Sequence, residues 1–527
     1  MRLRTSVAVL ATSTLFFFHS VAVEQRPASH VFNGNMTLDQ AVQLALRQNP
    51  NVLKALQQIE QTRGQIIEVR AQALPHLTLY GTYYQQDRSL IQTPVQGSAT
   101  ASATAPSTVA ASVAKSLSSI PGLAPSVAEQ IASAVEAASA NAAKVQSSNV
   151  VPYEDIAWNV QVQASQVLYA GGQVRAAIRI AKFTDDSSYF SLRDTLDQTI
   201  DTVRQQFYTV LLNRALITVQ EESVRLLGDQ LKDQQNRFEA GTVPRFNVLQ
   251  AEVALANQLP LLLSAKNAFV VSEYTLAKTL GIDPGPQGQT TYHAVGELEV
   301  HERPLGLKNA IQLAIERRPF LKVQRLNVLV QTEQIKVALA GYKPQLNANA
   351  GYEVLNSAQS NNLADTINGW FFGVTGQWNI FDGFETFGKV KAARASLESA
   401  KVTYDDSVHQ VELEVQQAYA NVQTARETIR SQQKTVEEAL EALRLSTERL
   451  AAGAGVQLDV LNAQVQLTTA RSTELQARAN YNTALAEFDR VTATDTIYAE
   501  TFKDPLLRGR TPPKNPALDP AAKKKGP

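Results

Sequence analysis

The chain repeats itself, and that constrains its fold more than any other feature. Leu38 to Pro50 (LDQAVQLALRQNP) matches Leu307 to Pro319 (LKNAIQLAIERRP) 269 residues further on, and the same step carries Pro75 onto Pro344 and Leu77 onto Leu346. Downstream, Arg237 to Leu255 (RFEAGTVPRFNVLQAEVAL) matches Arg449 to Leu467 (RLAAGAGVQLDVLNAQVQL) at a step of 212. The difference, 57 residues, is extra sequence in the first copy between Pro75 and Leu168. Composition locates it: Gln85 to Pro152 holds an aromatic-free segment in which Ala and Ser dominate from Ser98 to Ser148. Such a segment buries little apolar surface and reads as a loop or a weakly held helix. A length of 527 residues would otherwise suggest three or four domains at roughly 150 residues each; the repeat makes it one duplicated protomer.

Each copy reads helix, strand, strand, long helix, turn, long helix. In the second copy Val408, Val415, Val422, Ile429, Val436, Leu443 and Leu450 recur every seven residues, with Val411, Ala418, Ala425, Gln432, Ala439 and Ser446 between them. Alternating steps of three and four are those of helices packed side by side in a coiled coil. The first copy has Leu196, Val203, Val210, Ile217, Val224, Leu231 and Phe238 at the matching places, but its companion series (Thr199, Gln206, Asn213, Gln220, Gln234) is polar, so a narrower seam is expected. The 69 residues from Gly171 to Glu239 would run roughly 100 Å as one helix. Both rods stop at glycine-bearing turns, Ala240-Gly241-Thr242-Val243-Pro244 and Ala452-Gly453-Ala454-Gly455, from which antiparallel helices return to about Leu280 and Val491.

Four short segments alternate with period two. Leu346, Ala348, Ala350, Tyr352 and Val354 oppose Asn347, Asn349, Gly351 and Glu353; Trp158, Val160, Val162 and Ala164 oppose Asn159, Gln161, Gln163 and Ser165. Trp370, Phe372, Val374, Trp378 and Ile380 oppose Gly373, Thr375, Gln377 and Asn379, while Leu77 to Tyr84 alternates less cleanly. A soluble sheet with one wet face would alternate in the same way. Export favours a lipid-facing one: Arg2 and Arg4 precede an apolar run from Val7 to Phe18, and Ser20-Val21-Ala22 suits a signal peptidase. Trp and Tyr near the segment ends suit aromatic girdles. Beyond residue 22 the most apolar stretch, Leu259 to Val271, is 13 residues with Lys266 inside it, short for a spanning helix. Four strands cannot close, and an open edge in lipid leaves backbone groups unsatisfied, so several chains must share one barrel. Three chains would supply twelve strands, with polar faces lining a wet pore.

Charge adds little: Lys+Arg and Asp+Glu are 49 each, and loss of residues 1–22 leaves 47 against 49. Nothing in that balance invites nucleic acid. The absence of cysteine excludes disulfides and thiolate chemistry, six scattered histidines show no metal spacing, and no constellation for catalysis is present.

The order of LRQNP, ALPHLTL (Ala73 to Leu79), QVLYAGGQVRAAI (Gln166 to Ile178), FEAGTVPRFNVLQAEV and RLAAGAGVQLDVLNAQ resembles the TolC-type outer membrane efflux proteins over about residues 36 to 495. The resemblance implies an α+β membrane protein, internally duplicated: four strands per protomer in a trimeric twelve-stranded outer-membrane barrel, continued by coiled-coil helices as a periplasmic α-barrel. It implies the exit duct of a tripartite efflux or type I secretion system in the outer membrane. The partners would be a homotrimer of the chain, a periplasmic adaptor, an inner-membrane transporter and outer-membrane lipid, with no cofactor and no enzymatic step. An exported coiled-coil structural or adhesive protein is the competing reading. The expected organisation is a signal peptide (1–22), a linker (23–36), a first repeat (37–280) with residues 86–152 as an extracellular loop, a connection (281–306), a second repeat (307–495) and a disordered tail (496–527).

In the family an Asp at the place of Asp459 forms a ring at the tunnel mouth, where three carboxylates would favour cations. An Asp in the first turns of a helix also simply complements the dipole. The family's second acidic position is Asn462, its gating arginine position is Gly455, and the first-copy counterpart of Asp459 is Asn247, which puts aperture control by salt bridges in doubt. Gly241, Thr242, Gly453 and Ala454 at the tips are the candidate adaptor contacts, although a helix cap alone accounts for each glycine.

Overall fold

A computed structural model describes residues 34–85, 133–134, 156–282, 292–356 and 363–494. The expected signal segment, nearly all of the Ala/Ser insert and the tail lie outside the described residues. In chain order the elements are β1 (Gly34–Met36), α1 (Leu38–Gln48), α2 (Pro50–Ala71), β2 (His76–Gln85), β3 (Ile156–Ala170), α3 (Gln173–Glu239), α4 (Arg245–Leu280), β4 (Tyr292–Ala294), α5 (Leu307–Arg317), α6 (Pro319–Leu339), β5 (Gln345–Asn356), β6 (Thr366–Gln377), α7 (Glu385–Ala451) and α8 (Gln457–Val491). The expected single helix at the head of each copy is two. Pro50 and Pro319 lack an amide hydrogen and push the residue before them out of the helical region, so Asn49 (ψ 127°) and Arg318 (ψ 123°) break the helix. Thr37 and Gln40 close a capping box at the start of α1. Chain contacts divide the protein into a sheet unit, 65–180 with 333–394, and a helical unit made of the remainder.

In the sheet unit the four long strands are antiparallel in the order β2-β3-β5-β6. The register places Leu79, Val162, Tyr352 and Trp370 in one row and Leu77, Ala164, Ala350 and Phe372 in the next. This apolar face is bare on the single chain, Leu77 being 74% and Trp370 79% exposed. The opposite face is polar and hydrogen-bonded within itself: Thr82 Oγ1 donates to Asn159 Oδ1 (3.0 Å), and Asn159 Nδ2 to Glu353 Oε1 (2.8 Å). β2 pairs along its whole length despite its weak alternation, and β3 runs on to Ala170 past a bulge between Val167 and Tyr169. The expectation that Trp378 and Ile380 extend β6 is corrected. The last pair is Gln345 with Gln377, because β5 begins directly after Pro344 and offers no partner further on. Trp378 instead donates its indole N–H to the Tyr342 carbonyl (3.1 Å). The chain turns from β3 into α3 through Gly171 (φ +62°), where a Cβ would stand 2.8 Å from the Ala340 carbonyl oxygen.

The helical unit holds two apolar clusters, one per copy. The first packs Val42, Leu46, Val52 and Ile59 against Leu196, Ile200, Val203 and Phe207; the second packs Ala314 and Leu321 against Val411, Val415, Val422 and Phe488. The heptad positions named from sequence are therefore core where these clusters lie, whereas Phe238 beside the first tip is exposed. The polar companion series of α3 is not simply solvated: Thr199 and Gln234 are buried, and Gln220 bonds Gln258 of α4. A two-stranded parallel sheet of β1 with β4, too short to leave a period, ties the connection between the copies to the first. Tyr292 anchors it through a hydroxyl bond to the Glu273 carbonyl (2.7 Å). α4 is long and apolar enough by composition to cross a membrane, in contrast to the shorter stretch considered above. Lys266 within it pairs with Glu221 of α3 at 2.9 Å, so the helix forms the hairpin's returning arm.

Candidate functional site

Both long helices end in the same cap. Gly241 (φ +73°) donates to the Phe238 carbonyl and Thr242 to the Arg237 carbonyl, each at 2.9 Å. Gly453 (φ +73°) donates to Leu450 (3.1 Å) and Ala454 to Arg449 (2.9 Å). This pair of bonds is the Schellman motif, whose left-handed residue is glycine because a Cβ would crowd the carbonyl there. Gly241, Thr242, Gly453 and Ala454 are all exposed. At Gly455 a Cβ would come within 3.0 Å of the Leu450 nitrogen and 3.2 Å of Arg449, so the turn itself resists a side chain at this position.

Asp459 and Asn462 stand one turn apart at the start of α8, both exposed, and among the described residues Asp459 has no ion-pair partner. Its position in the first turn complements the helix dipole. Asn247 is half-buried in the first turn of α4 and caps nothing with its side chain. Neighbouring residues that sequence reasoning passed over are more tightly bound. Gln457, the first residue of α8, accepts at Oε1 from Gln234 Nε2 of α3 at 3.1 Å with both side chains buried. The signal was present in Gln234, a polar residue in a helical seam, but its partner lies over two hundred residues away.

The interface of α3 with α8 continues as a polar ladder. Thr468 bonds Ser223 (3.2 Å), and Arg490 Nε lies 3.5 Å from Asp201 Oδ2. Steps of eleven and then twenty-two residues are matched on both helices, one antiparallel register. At its far end Arg490 also binds Glu487 (2.6 Å), Asp489 meets Arg204 (3.7 Å) and Arg303, and Arg318 pairs with Glu414 of α7 (2.5 Å). Burial and the nearby Glu487 push the Asp201 carboxyl up to about 7. Burial opposes ionisation of Glu487 too, but the Arg490 guanidinium outweighs it and holds that carboxyl below its ordinary value. These groups bind helices together; they do not converge on an open cleft. Among the described residues no cluster of His, Asp or Glu is arranged to hold a metal ion.

The family model for outer membrane efflux proteins matches residues 125–282 and 310–494, one segment in each copy. The chain belongs to the outer membrane efflux protein family. It is similar to the outer membrane efflux protein BepC of Brucella suis, 21% identical over 341 residues, 65% of this chain and 73% of that one. It is also similar to the alkaline protease secretion protein AprF of Pseudomonas aeruginosa, 23% identical over 321 residues, 60% of this chain and 64% of the relative. Its fold is that of the Campylobacter jejuni CmeC outer membrane channel, with a TM-score of 0.68 over 89% of this chain and 90% of that one at 15% identity. As a member of this efflux family the protein works at the outer membrane, as an exit duct for efflux or secretion. A free coiled-coil adhesive protein, the competing reading, has no support in these matches.

Proposed function

We propose that three copies, each made of repeats 37–280 and 307–495, close a twelve-stranded barrel and a helical duct that an adaptor joins to an inner-membrane transporter. The observation that carries this reading is the four-stranded sheet. Its exposed apolar rows match a lipid surface, its other face is polar, and its edge strands β2 and β6 have unpaired backbone that only further strands can satisfy within a bilayer. The bare, rigidly capped turns at Gly241-Thr242 and Gly453-Ala454 are the adaptor contacts, and substrate choice belongs to the inner-membrane partner.

Asp459 supplies a ring of three carboxylates at the mouth, and Asn462 and Asn247 keep the rest of that ring uncharged. The gate differs from the family pattern in having Gly455 where an arginine would latch it; of the contacts that join α3 to α8, the buried Gln234 to Gln457 bond is the one nearest the tips. Planar-bilayer recording tests the ring: Asp459→Ala should weaken cation selectivity and block by trivalent cations with conductance largely kept. Unchanged selectivity would remove Asp459 from the aperture, and recovery of the full chain from the soluble periplasm without detergent would sink the duct itself.

A further inference from the structure

The four long strands of the sheet carry a single acidic side chain and no lysine or arginine. The acidic one is Glu353 of β5, half-buried on the polar face. It lies opposite Gln161 of β3 and Gly369 of β6. Its chain neighbours belong to the apolar face, Tyr352 in the row of Val162 and Trp370, and Val354 in the row of Val160. In a bilayer this order sets the carboxylate at the depth of the lipid-facing band, on the inner side of the wall. An ionisable group at such a depth is costly unless it faces water, and groups of this kind mark ion pathways.

The surrounding strands hold the carboxylate in one orientation. Thr82 Oγ1 donates to Asn159 Oδ1 (3.0 Å), so the Asn159 amide turns its nitrogen to Glu353 and donates to Oε1 at 2.8 Å. On the β6 side the wall is bare, because Gly369 and Gly373 on the same face have open space where a Cβ would stand. Among the described residues Glu353 has no ion-pair partner, so its charge is not cancelled within the chain. Hydrogen bonding alone calls for no charge here: Asn159 needs one acceptor, and a glutamine oxygen would serve.

We propose that Glu353 is a second selectivity determinant of the duct, a ring of three carboxylates inside the barrel that enriches cations and repels anions at the outer exit. The proposal rests on the trimeric barrel above, and it is independent of Asp459, which belongs to the helical unit. Strands about 4.8 Å apart and tilted by about 40°, twelve to the ring, put the backbone about 12 Å from the axis and an inward carboxylate about 8 Å from it. At that radius the three carboxylates stand about 14 Å apart, too far to share one ion at the roughly 2.5 Å of a coordinate bond. The ring therefore acts by its field. That field reaches the axis at about 0.1 M salt, where the Debye length is about 10 Å, and is screened at about 1 M, where it is about 3 Å.

Reversal potentials of the full-length chain in planar bilayers test the ring. Glu353→Gln, which keeps the acceptor for Asn159, should lower the potassium-to-chloride permeability ratio by about fivefold at about 0.1 M salt and by less than about twofold at 1 M. Because the chain has no cysteine, Glu353→Cys adds one reactive site. An anionic methanethiosulfonate supplied on both sides should restore the parent ratio, and a cationic one should push it below that of the unmodified variant. Equal ratios for the parent and Glu353→Gln, or equal ratios after the two reagents, overturn the selectivity role and leave the barrel standing. A cysteine that neither reagent reaches in conducting channels overturns the inward placement of Glu353. A parent chain that forms no channels overturns the trimeric reading as well.

Discussion

Replacing Asp201 by asparagine tests whether the α3 to α8 contact carries a buried proton. The residue is 6% exposed, accepts from Gln205 Nε2 at 2.9 Å, and faces Glu487 and Arg490 across the helix interface. Its carboxyl titrates near 7 in the fold against 3.8 in the open chain, because burial and Glu487 disfavour the anion. Between those values the folded protein binds more protons than the unfolded one. The stability Asp201 contributes is therefore complete below about pH 4 and is lost as pH rises through 7. That displacement corresponds to about 4 kcal/mol, and since Glu487 and Arg490 share the titration the substitution should recover about 2 kcal/mol above pH 7. Asparagine keeps the acceptor for Gln205 and removes the charge. Thermal unfolding of the detergent-solubilised protein, followed by helical circular dichroism at about pH 5 and about pH 8, should show the parent losing stability towards pH 8 and Asp201→Asn losing much less. Parallel curves, or a variant less stable than the parent at the higher pH, would refute the reasoning and make Asp201 an ordinary ionised partner of Arg490.

Gly281→Ala should cost about 2 to 4 kcal/mol in the same melt, from its left-handed backbone and a Cβ 2.5 Å from the Gln48 carbonyl oxygen. The counterpart Ala493 already carries a methyl group at φ +50°, so Ala493→Gly should change stability by less than about 1 kcal/mol, strain relief offsetting the lost methyl. Gln234→Leu leaves Gln457 without its bond inside the α3 to α8 seam, at about 1 to 3 kcal/mol. If that bond holds the hairpins together, single-channel recordings should show longer open periods, and an unchanged open fraction would count against it.

The parts of the fold legible in the sequence were those with a period. Steps of three and four along α3 and α7, steps of two along β2, β3, β5 and β6, and the glycines of the tip turns follow from helix pitch, strand pleat and left-handed caps, each readable within a few residues. β1 and β4 have three residues apiece and leave no such trace. Trp378 and Ile380 kept the alternation but lost their pairing partner, which β5 decides and β6 does not. The tip residues Gly241, Thr242, Gly453 and Ala454 stand exposed at the turns where sequence placed them, while the role of Asp459 depends on neighbours that only an assembly supplies.

The sequence by itself determined the duplication, the lengths of the long helices, the faces of the strands and the membership of an outer-membrane efflux family. Only the tertiary structure decided that Gln234 meets Gln457 and that Asp201 lies between Glu487 and Arg490. The reason is physical. Period and capping are properties of a residue and its near neighbours, whereas burial, pairing and a displaced pKa are set by helices over two hundred residues apart, whose register no local pattern records.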